Sequence, residues 1–332
     1  MVHVHSTHSD GTGTVAQIAE AAARNAVDVV LLTDHDTLAA RREGEEGWHG
    51  DVLVLVGEEV TPKNQDHYLA FGLAREVSRN QPAAGIVGDV AERGGFGFCA
   101  HPFSRGSKRF KRAAGMPWTD FDCDLIEGLE VWSFVTDTAE KLESLADAAR
   151  FVAAPERMLD HPPARNLAEW DRLCRLRRVV GIAGIDAHQI GFRVRERVPL
   201  RLMSYARSFR FLRTHVLTDE PLEGELEHDA LQVYAALRSG RCYMSVDSLA
   251  PPRGFSFTAG ETAMGGEIDF AGQVLLATLP RPAHLRLIRN GELIAERDGS
   301  DLEHEAAEPG VYRIEARLRE RTWILSNPVY LR

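Results

Sequence analysis

The chain has 332 residues, of which 44% are hydrophobic and 27% are charged, and it carries a formal net charge of −10. This composition is typical of a soluble globular protein, and the length allows one large α/β domain and a small second one. The negative charge argues against a nucleic acid polymer or an anionic membrane as the partner, because phosphate groups would be repelled.

The apolar runs and the cysteines also fit a soluble globular protein. No apolar run approaches the roughly 20 residues of a membrane span. The first residues lead directly into polar sequence, so we expect no signal peptide. The four cysteines lie far apart, without a Cys-x-x-Cys pair, which is typical of buried thiols in a reducing compartment. We therefore predict a cytoplasmic protein, and no oligomeric state follows from the sequence.

Short apolar runs alternate with helical patterns from residue 1 to about residue 190. Val15–Asn25 has apolar residues at helical spacing, and Asp137–Phe151 is rich in Ala, Leu and Glu. The runs that we predict to be strands are Val29–Leu32, Val52–Val56, Tyr68–Gly72, Gly95–Cys99, Gly128–Trp132 and Val179–Gly184. Strands that alternate with helices indicate an α/β fold with a parallel sheet, which is either open or closed into a barrel.

The pattern changes near Ser245–Pro252, which is typical of a linker. After it, short alternating strands are separated by turn signals, and Asn290-Gly291 predicts a two-residue hairpin turn with positive φ. We predict an α/β domain over residues 1–248 and a small immunoglobulin-like β-sandwich over residues 249–332. The second segment contains only two histidines, His284 and His304, so we place the chemistry in the first.

Histidines and carboxylates collect at the ends of the predicted strands. His3 and His5 are two residues apart, as are Asp186 and His188, so each pair points to one face of an extended chain. Functional groups at the carboxyl ends of strands converge on one crevice in α/β proteins. The candidate metal ligands are His3, His5, Asp10, His35, Glu59, His67, His101, Asp186 and His188. His67, taken alone, also fits a hydrogen-bonded structural residue.

Imidazole and carboxylate groups without thiolates suit zinc, manganese or iron. The set is large enough for two or three divalent ions, with positions left for water and substrate. Glu58 and Glu59 are adjacent, so the pleat directs them to opposite faces, and we expect Glu59 to be the ligand. The sequence has neither a Gly-x-Ser-x-Gly motif nor a P-loop, which leaves covalent acyl transfer and ATP hydrolysis without support.

Most of these residues lie in five motifs. The motifs are His3-Val-His5-Ser-Thr-His-Ser-Asp10-Gly11, Thr33-Asp-His35-Asp-Thr37, Gly57-Glu-Glu59-Val-Thr61, Ala100-His101-Pro102 and Gly184-Ile-Asp186-Ala-His188. In this order they resemble the motifs of the PHP (polymerase and histidinol phosphatase) superfamily, over about residues 1–245. The resemblance implies a distorted βα barrel with a bi- or trinuclear metal centre that most often hydrolyses phosphoesters.

The resemblance also implies how the ligands are shared. One ion would be held by His3, His5, Glu59 and Asp186; a second, bridged by Glu59, by His67 and His101; and a third by Asp10, His35 and His188. A hydroxide shared by two ions would be the nucleophile, with Glu59 and Asp186 as catalytic carboxylates. His8 stands where relatives commonly carry a small or neutral residue. It is a further catalytic candidate as a proton donor to the leaving group, the alternatives being a supporting or an exposed residue.

Basic residues near the motifs are candidates for substrate binding. Ser104–Arg112 is the most basic stretch of the chain and follows the predicted strand that ends before His101. Arg105 and Lys108 are therefore candidates for phosphate contacts, the alternative being a solvated charged loop. Arg193, beyond the Asp186-Ala-His188 motif, is a similar candidate.

Three functions remain open. The first is a phosphoesterase acting on a small phosphomonoester or phosphodiester; Asp10 at the third-metal position resembles the branch with nucleotide and cyclic-phosphate phosphodiesterases. The second is a carbamate, amide or ester hydrolase, because the C-terminal segment resembles those of carbaryl-type carbamate hydrolases. The third, an accessory module, is disfavoured because every ligand position is filled. A phosphoesterase needs cationic side chains in addition to the metals, whereas a carbamate hydrolase needs an apolar cleft. The sequence after His101 contains both basic and aromatic residues, so it does not decide between the two.

Overall fold

The computed structural model describes residues 1–109, 114–189, 191–194, 197–201 and 203–332, with side chains throughout except at 191–194 and 197–201. The side chain of Arg193, a predicted substrate-binding residue, thus lies outside the described part of the chain. Among the helices of the described residues, none has the length and apolar character that a membrane crossing requires.

An eight-stranded sheet organises the first part of the chain. Its strands are β1 (Val2–Val4), β2 (Val29–His35), β3 (Gly47–His49), β4 (Val52–Val60), β5 (Tyr68–Phe71), β6 (Phe96–Cys99), β7 (Gly128–Ser133) and β8 (Val180–Gly184). The order is β1-β2-β4-β5-β6-β7-β8, with β3 paired to β4. The chain after β8 returns to β1, because the N–H groups of Ile185 and Ala187 donate to the carbonyls of Val2 and His3, each at 3.1 Å. The sheet is therefore a nearly closed barrel.

Strand direction departs from the predicted parallel sheet at β5 and at the short strand β3, which is antiparallel to β4. The pairs β1–β2, β2–β4, β6–β7 and β7–β8 are parallel, as predicted, whereas β5 is antiparallel to both β4 and β6. The tight connection from β4 to β5 leaves no room for a crossover helix, which a parallel pair requires. The first residue of β5 therefore lies beside the carboxyl ends of its neighbours.

Helices connect the strands. They are α1 (Val15–Ala23), α2 (Ala39–Arg42), α3 (Ala83–Glu92), α4 (Phe134–Glu140), α5 (Leu145–Ala153), α6 (Ala164–Leu176), α7 (Tyr205–Ser208) and α8 (Leu226–Ser239), with a 3₁₀ turn at Pro155–Met158. The single helix predicted over Asp137–Phe151 is wrong, because α4 and α5 are separate. Ser144 begins α5: its hydroxyl accepts from the N–H of Asp147 (3.1 Å) and its N–H donates to the Asp147 carboxylate (3.0 Å). This capping box starts a new helix.

The pleat of the strands fills the barrel and also places the site. On β4, Leu53 and Leu55 share the face of Glu59, because side chains alternate along a strand. Both leucines belong to an apolar cluster with residues of β2, β5, β6 and β8, and Val233 and Leu237 of α8 close that cluster. The polar end of the same face, which carries Glu59, therefore lies next to a rigid apolar layer.

A second sheet follows. A separate hairpin of β9 (Gly191–Val194) and β10 (Arg197–Arg201) precedes it. The strands of the second sheet are β11 (Leu212–Val216), β12 (Cys242–Val246), β13 (Ser256–Ala259), β14 (Thr262–Ala263), β15 (Glu267–Ile268), β16 (Val274–Arg289), β17 (Glu292–Glu305), β18 (Gly310–Leu318), β19 (Arg321–Ser326) and β20 (Val329–Leu331). The predicted turn between β16 and β17 is present, with φ of 54° at Asn290 and 92° at Gly291.

The second sheet extends across residue 248. Strands β11 and β12 precede that residue, yet β12 pairs with β19 near the end of the chain. Asn327, after β19, contacts the first sheet: its side-chain oxygen accepts from the N–H of Gly181 (2.7 Å) and its amide donates to the Gly181 carbonyl (2.8 Å). The division into residues 1–248 and 249–332, and the immunoglobulin-like character of the second part, stay predictions.

Candidate metal centre

The predicted ligands meet at one edge of the barrel. Eight of them lie within or after five strands: His3 in β1 with His5 just after it and Asp10 in the loop beyond, His35 at the end of β2, Glu59 near the end of β4, His101 after β6, and Asp186 and His188 after β8. His67 directly precedes β5, whose reversed direction brings it to the same edge. The sequence alone gave no reason for a ligand at the start of a strand.

Glu59 occupies the centre of this cluster and is 1% exposed. One oxygen, Oε1, lies 2.9 Å from His67 Nδ1 and 3.3 Å from His101 Nε2. The other, Oε2, lies 3.0 Å from His35 Nδ1, 3.3 Å from His3 Nε2 and 3.4 Å from His5 Nε2. Because its two oxygens face different imidazoles, this carboxylate is placed to bridge two cations.

The two aspartates lie on the other side of the histidines. Asp186 Oδ1 is 3.4 Å from His3 Nε2, from His5 Nε2 and from His188 Nδ1. Asp10 Oδ1 is 3.0 Å from His188 Nε2 and 3.5 Å from His35 Nε2. The nine predicted residues thus form one continuous network of imidazole and carboxylate groups.

Three overlapping sets in this network have ligand atoms within 4.8 Å of one another. The sets are His5, Asp10, His35 and His188; His3, His5 and Asp186; and His3, Glu59 and His101. His67 is in none of these sets and lies against Glu59 and the ring of His101. His5 therefore falls in two sets, whereas the resemblance implies that it serves one ion.

Several atoms of the cluster lack hydrogen bonds although they are buried. His3 Nε2, His5 Nδ1 and Nε2, and Glu59 Oε2 have no hydrogen-bond partner in the described part of the chain. An unsatisfied buried polar group costs about 1–3 kcal/mol, so such groups rarely collect without a ligand. Cations between the imidazoles and carboxylates would satisfy them, and the donor set fits zinc, manganese or iron.

Backbone strain concentrates in the same residues. His3, His101 and Asp186 have φ of 66°, 31° and 48°, in the left-handed region that side-chain-bearing residues rarely adopt. Strain of this kind persists where the surrounding structure enforces it, which is typical of functional sites. The barrel thus holds three of the nine side chains in unfavourable backbone conformations.

The charges of the site favour ionised carboxylates. Burial by itself raises the pKa of Glu59 and of Asp186, but the nearby histidines, His3 first among them, hold both well below the usual range. Burial lowers the pKa of His188, but Asp186 and Asp10 outweigh this effect and raise it to about 9. Burial, followed by the charge of His188, lowers the pKa of His5 to about 4. Both central carboxylates are therefore ionised at neutral pH, as metal binding requires.

Glu130 is a buried residue that the sequence analysis missed. It lies in β7, both of its oxygens are 3.3 Å from His3 Nδ1, and Oε2 accepts from the N–H of His101 at 2.6 Å. A Cβ at Gly184 would lie 1.9 Å from Glu130 Oε1, so a larger residue there would displace the Glu130 carboxylate. The signal available in the sequence was a lone carboxylate inside the apolar run Gly128–Trp132.

Asp34 is a second residue whose role the sequence did not reveal. Its Oδ1 accepts from the N–H of Ser6 (2.7 Å) and the hydroxyl of Ser9 (2.6 Å), and its Oδ2 accepts from the Ser6 hydroxyl (2.7 Å). These bonds fix the loop that carries the ligands from His5 to Asp10. Glu58 points away from the cluster, as the pleat predicts, and accepts from the N–H of Val77 at 2.7 Å.

Three other predicted residues with described side chains do not lie at the cluster. His8 forms a separate group with Glu43 and Glu45, and its Nε2 lies 2.6 Å from Glu45 Oε2. Arg105 and Lys108 are exposed, and neither is among the described residues that line the cavity at the cluster. The catalytic role of His8 and the substrate contacts of the two cations stay predictions.

A cavity of about 430 Å³ opens onto the cluster. Seven of the nine predicted ligands line it: Asp10, His35, Glu59, His67, His101, Asp186 and His188. The other described lining residues are Ser104, Gly106, Ala114, Met116, Val135, Thr136 and Ala139. A small substrate therefore has direct access to the imidazoles and carboxylates.

Comparison with known proteins gives a partial match in sequence. No family model matches the chain. A phosphoribosyl 1,2-cyclic phosphate 1,2-diphosphodiesterase of Eggerthella lenta is 36% identical over 99 residues, which cover 28% of this chain and 36% of that protein. The match thus spans little more than a third of the relative's length.

Solved structures give distant similarities. A two-domain Bacteroides vulgatus protein that contains a predicted PHP-like metal-dependent phosphoesterase aligns over 98% of this chain and 93% of its own, with 14% identity and a TM-score of 0.45. PsfC from Pseudomonas syringae aligns over 75% of this chain and 91% of its own, with 12% identity and a TM-score of 0.42. Neither similarity bears on activity at these scores. Over its matched segment the chain is similar to a phosphodiesterase, in agreement with the resemblance to the PHP superfamily that its ordered motifs carry.

Proposed function

We propose that this protein is a metal-dependent phosphoesterase with a PHP-type barrel that acts on a small phosphomonoester or phosphodiester. The observation that carries the proposal is the cluster around Glu59, in which buried imidazole and carboxylate atoms face one another without hydrogen bonds. Stable folds pair such atoms or bind a cation between them. The partial match to a phosphodiesterase supports phosphorus as the atom attacked.

Three carboxylates have specific roles in this proposal. Glu59, whose two oxygens face different imidazoles, would be a ligand shared by two ions, and Asp186, which faces His3 and His5 across the same space, would be a further ligand. Glu130 holds the ring of His3 through Nδ1, which leaves Nε2 directed at Glu59 and Asp186. Divalent ions bound here would lower the pKa of water to near 7 and neutralise charge on the phosphoryl group. We propose zinc, manganese or iron, with two or three ions per chain.

The proposal is tested by metal analysis coupled to a substrate panel. The panel contains p-nitrophenyl phosphate, bis-p-nitrophenyl phosphate, nucleotides, a ribosyl cyclic phosphate of the class in the relative's name, and aryl carbamates. We expect two or three equivalents of metal, loss of phosphoester hydrolysis on chelation and recovery on readdition. Full activity in metal-free protein, or turnover of carbamates in preference to every phosphoester, would overturn the proposal.

A further inference from the structure

The described lining of the cavity at the metal cluster contains two chemically different groups of residues. One group is the predicted ligands, and the other is Val135 and Ala139 of α4 with Ala114 and Met116 of the chain beyond His101. Val135 and Ala139 are four residues apart, so they present one face of the helix to the cavity. We call the four residues Ala114, Met116, Val135 and Ala139 the apolar wall.

In the lining that the structure describes, every charged side chain is a predicted metal ligand. The rest of that lining consists of the apolar wall, Gly106, and the hydroxyl-bearing Ser104 and Thr136. A sugar or nucleotide phosphate exposes several hydroxyl or amide groups, which lose their bonds to water against aliphatic side chains. An aliphatic or aromatic group loses no such bonds and gains free energy in proportion to the apolar area buried.

We infer that the apolar wall binds the organic group of the substrate, so that the preferred substrates are phosphoesters of apolar alcohols and not of sugars. This inference rests on the proposed function, because metal ions held by the cluster would bind the phosphoryl group. A volume of about 430 Å³ is within the range of pockets that hold small organic ligands. The specificity-determining residues are Met116 and Val135.

The test uses the full chain loaded with manganese or zinc and a series of substrates that differ in one feature. Methyl, n-butyl and n-hexyl phosphate share the phosphoryl group and differ in apolar length, and ribose 5-phosphate adds hydroxyl groups. Each methylene that reaches the wall is expected to raise kcat/KM about fourfold. We expect n-hexyl phosphate to exceed both methyl phosphate and ribose 5-phosphate by at least about tenfold.

Near-isosteric variants test whether the preference for longer alkyl phosphates depends on the apolar wall. Val135→Thr and Met116→Gln keep the size of the side chain and introduce a polar group. We expect each to lower the ratio of kcat/KM for hexyl over methyl phosphate about fivefold, the cost of burying an unpaired polar group, with metal content unchanged. Val152→Thr is the matched control, because Val152 lies on α5, is 37% exposed and is outside the described lining of the cavity.

A binding measurement separates failure of this inference from failure of the proposed function. Hexylphosphonate and methylphosphonate cannot be hydrolysed, and calorimetry gives their affinities for the metal-loaded protein. Tighter binding of hexylphosphonate that Val135→Thr abolishes supports the wall even if no ester is hydrolysed. Equal turnover of all esters, equal binding of both phosphonates, or an effect of Val135→Thr no larger than that of Val152→Thr would overturn the inference.

Discussion

Of the regions where the described residues bury charged side chains, two form a contrast: the contact between α6 and β18, and the cluster around Glu59. At the first, Arg313 donates to both oxygens of Asp171 (2.7 and 2.8 Å) and to Glu315 (2.9 Å). Asp171 accordingly outweighs the effect of burial and raises the pKa of Arg313. Each carboxylate there has a cation within hydrogen-bond distance, so the network is complete without a ligand.

The cluster around Glu59 is the opposite case. Glu59 Oε2 and His3 Nε2 are 3.3 Å apart, yet neither has a hydrogen bond in the described part of the chain. Five histidines surround the Glu59 carboxylate. Two of them, His3 and His101, have positive φ, which is an unfavourable backbone conformation. The comparison teaches that burial of charge does not by itself identify a site. What distinguishes the two regions is whether the protein satisfies its own buried polar atoms.

Arg313→Met is expected to give the largest effect, because it leaves Asp171 and Glu315 buried without their cation. Breaking a buried pair in this way costs about 3–5 kcal/mol of unfolding free energy. Denaturant unfolding measures this loss, and metal content of the folded variant should be unchanged. Arg297→Met, which removes an exposed pair with Asp301, should change stability by no more than about 1 kcal/mol. A neutral result for Arg313→Met would show that the paired network contributes nothing.

Glu59→Gln removes the charge at the centre of the unpaired cluster and keeps the shape of the side chain. We expect loss of at least one metal equivalent and a fall in kcat of at least about 10²-fold, comparable to the loss of a key electrostatic group. Glu58→Gln is the matched control, because Glu58 is the neighbour of Glu59 on β4, points to the other face and accepts from the N–H of Val77. Full metal content and normal turnover in Glu59→Gln would contradict the bridging role.

Glu130→Gln tests a residue that shares features of both regions. Its carboxylate is hydrogen-bonded by protein groups, as at Arg313, yet it contacts His3 in the cluster around Glu59. An amide keeps one oxygen that can accept from the N–H of His101, but it removes the negative charge and leaves only one of the two oxygens that face His3 Nδ1. We expect metal affinity, measured by competition with a chelator, to fall about 10–100-fold. Glu127→Gln, three residues earlier and paired with Arg238 at 2.9 Å, should leave affinity unchanged. An effect on stability alone would make Glu130 structural.

Asp137→Asn should give the smallest effect and tests a buried carboxylate beside the cavity. Burial, followed by the nearby Glu140 and Glu130, raises the pKa of Asp137 to about 8, against the N–H of Ser133 and Arg165, which lower it. The folded protein therefore binds this proton more tightly than the unfolded chain, and stability from Asp137 is lost as pH rises from about 4 towards 8.

The amide does not titrate, so we expect Asp137→Asn to raise Tm at pH 8 by about 2–4 °C, with a smaller difference at pH 5. Thermal unfolding at the two pH values measures the change. Asp124→Asn, at a 95% exposed side chain, should show no pH-dependent difference. A difference for Asp137→Asn that is the same at both pH values would contradict the raised pKa.

The sequence alone determined the features that depend on a few neighbouring residues. The spacings His3-x-His5 and Asp186-x-His188, the opposite faces of Glu58 and Glu59, and the turn at Asn290-Gly291 follow from strand and turn geometry, which is local. Strands at the predicted runs and an α/β sheet followed for the same reason, whereas closure of the sheet into a barrel was implied only by the resemblance to the PHP superfamily. The residue types of the cluster also indicated divalent metals before any geometry was available.

Only the tertiary structure decided what depends on distant segments. The reversed direction of β5 makes His67 a neighbour of Glu59, and the pairing of β12 with β19 carries the second sheet across residue 248. Glu130 became visible because β7 lies beside β8 and His3. The apolar wall joins α4 to the chain beyond His101. Each of these results from long-range packing and strand register, in which the free energy depends on partners far apart in sequence, so no local pattern encodes them.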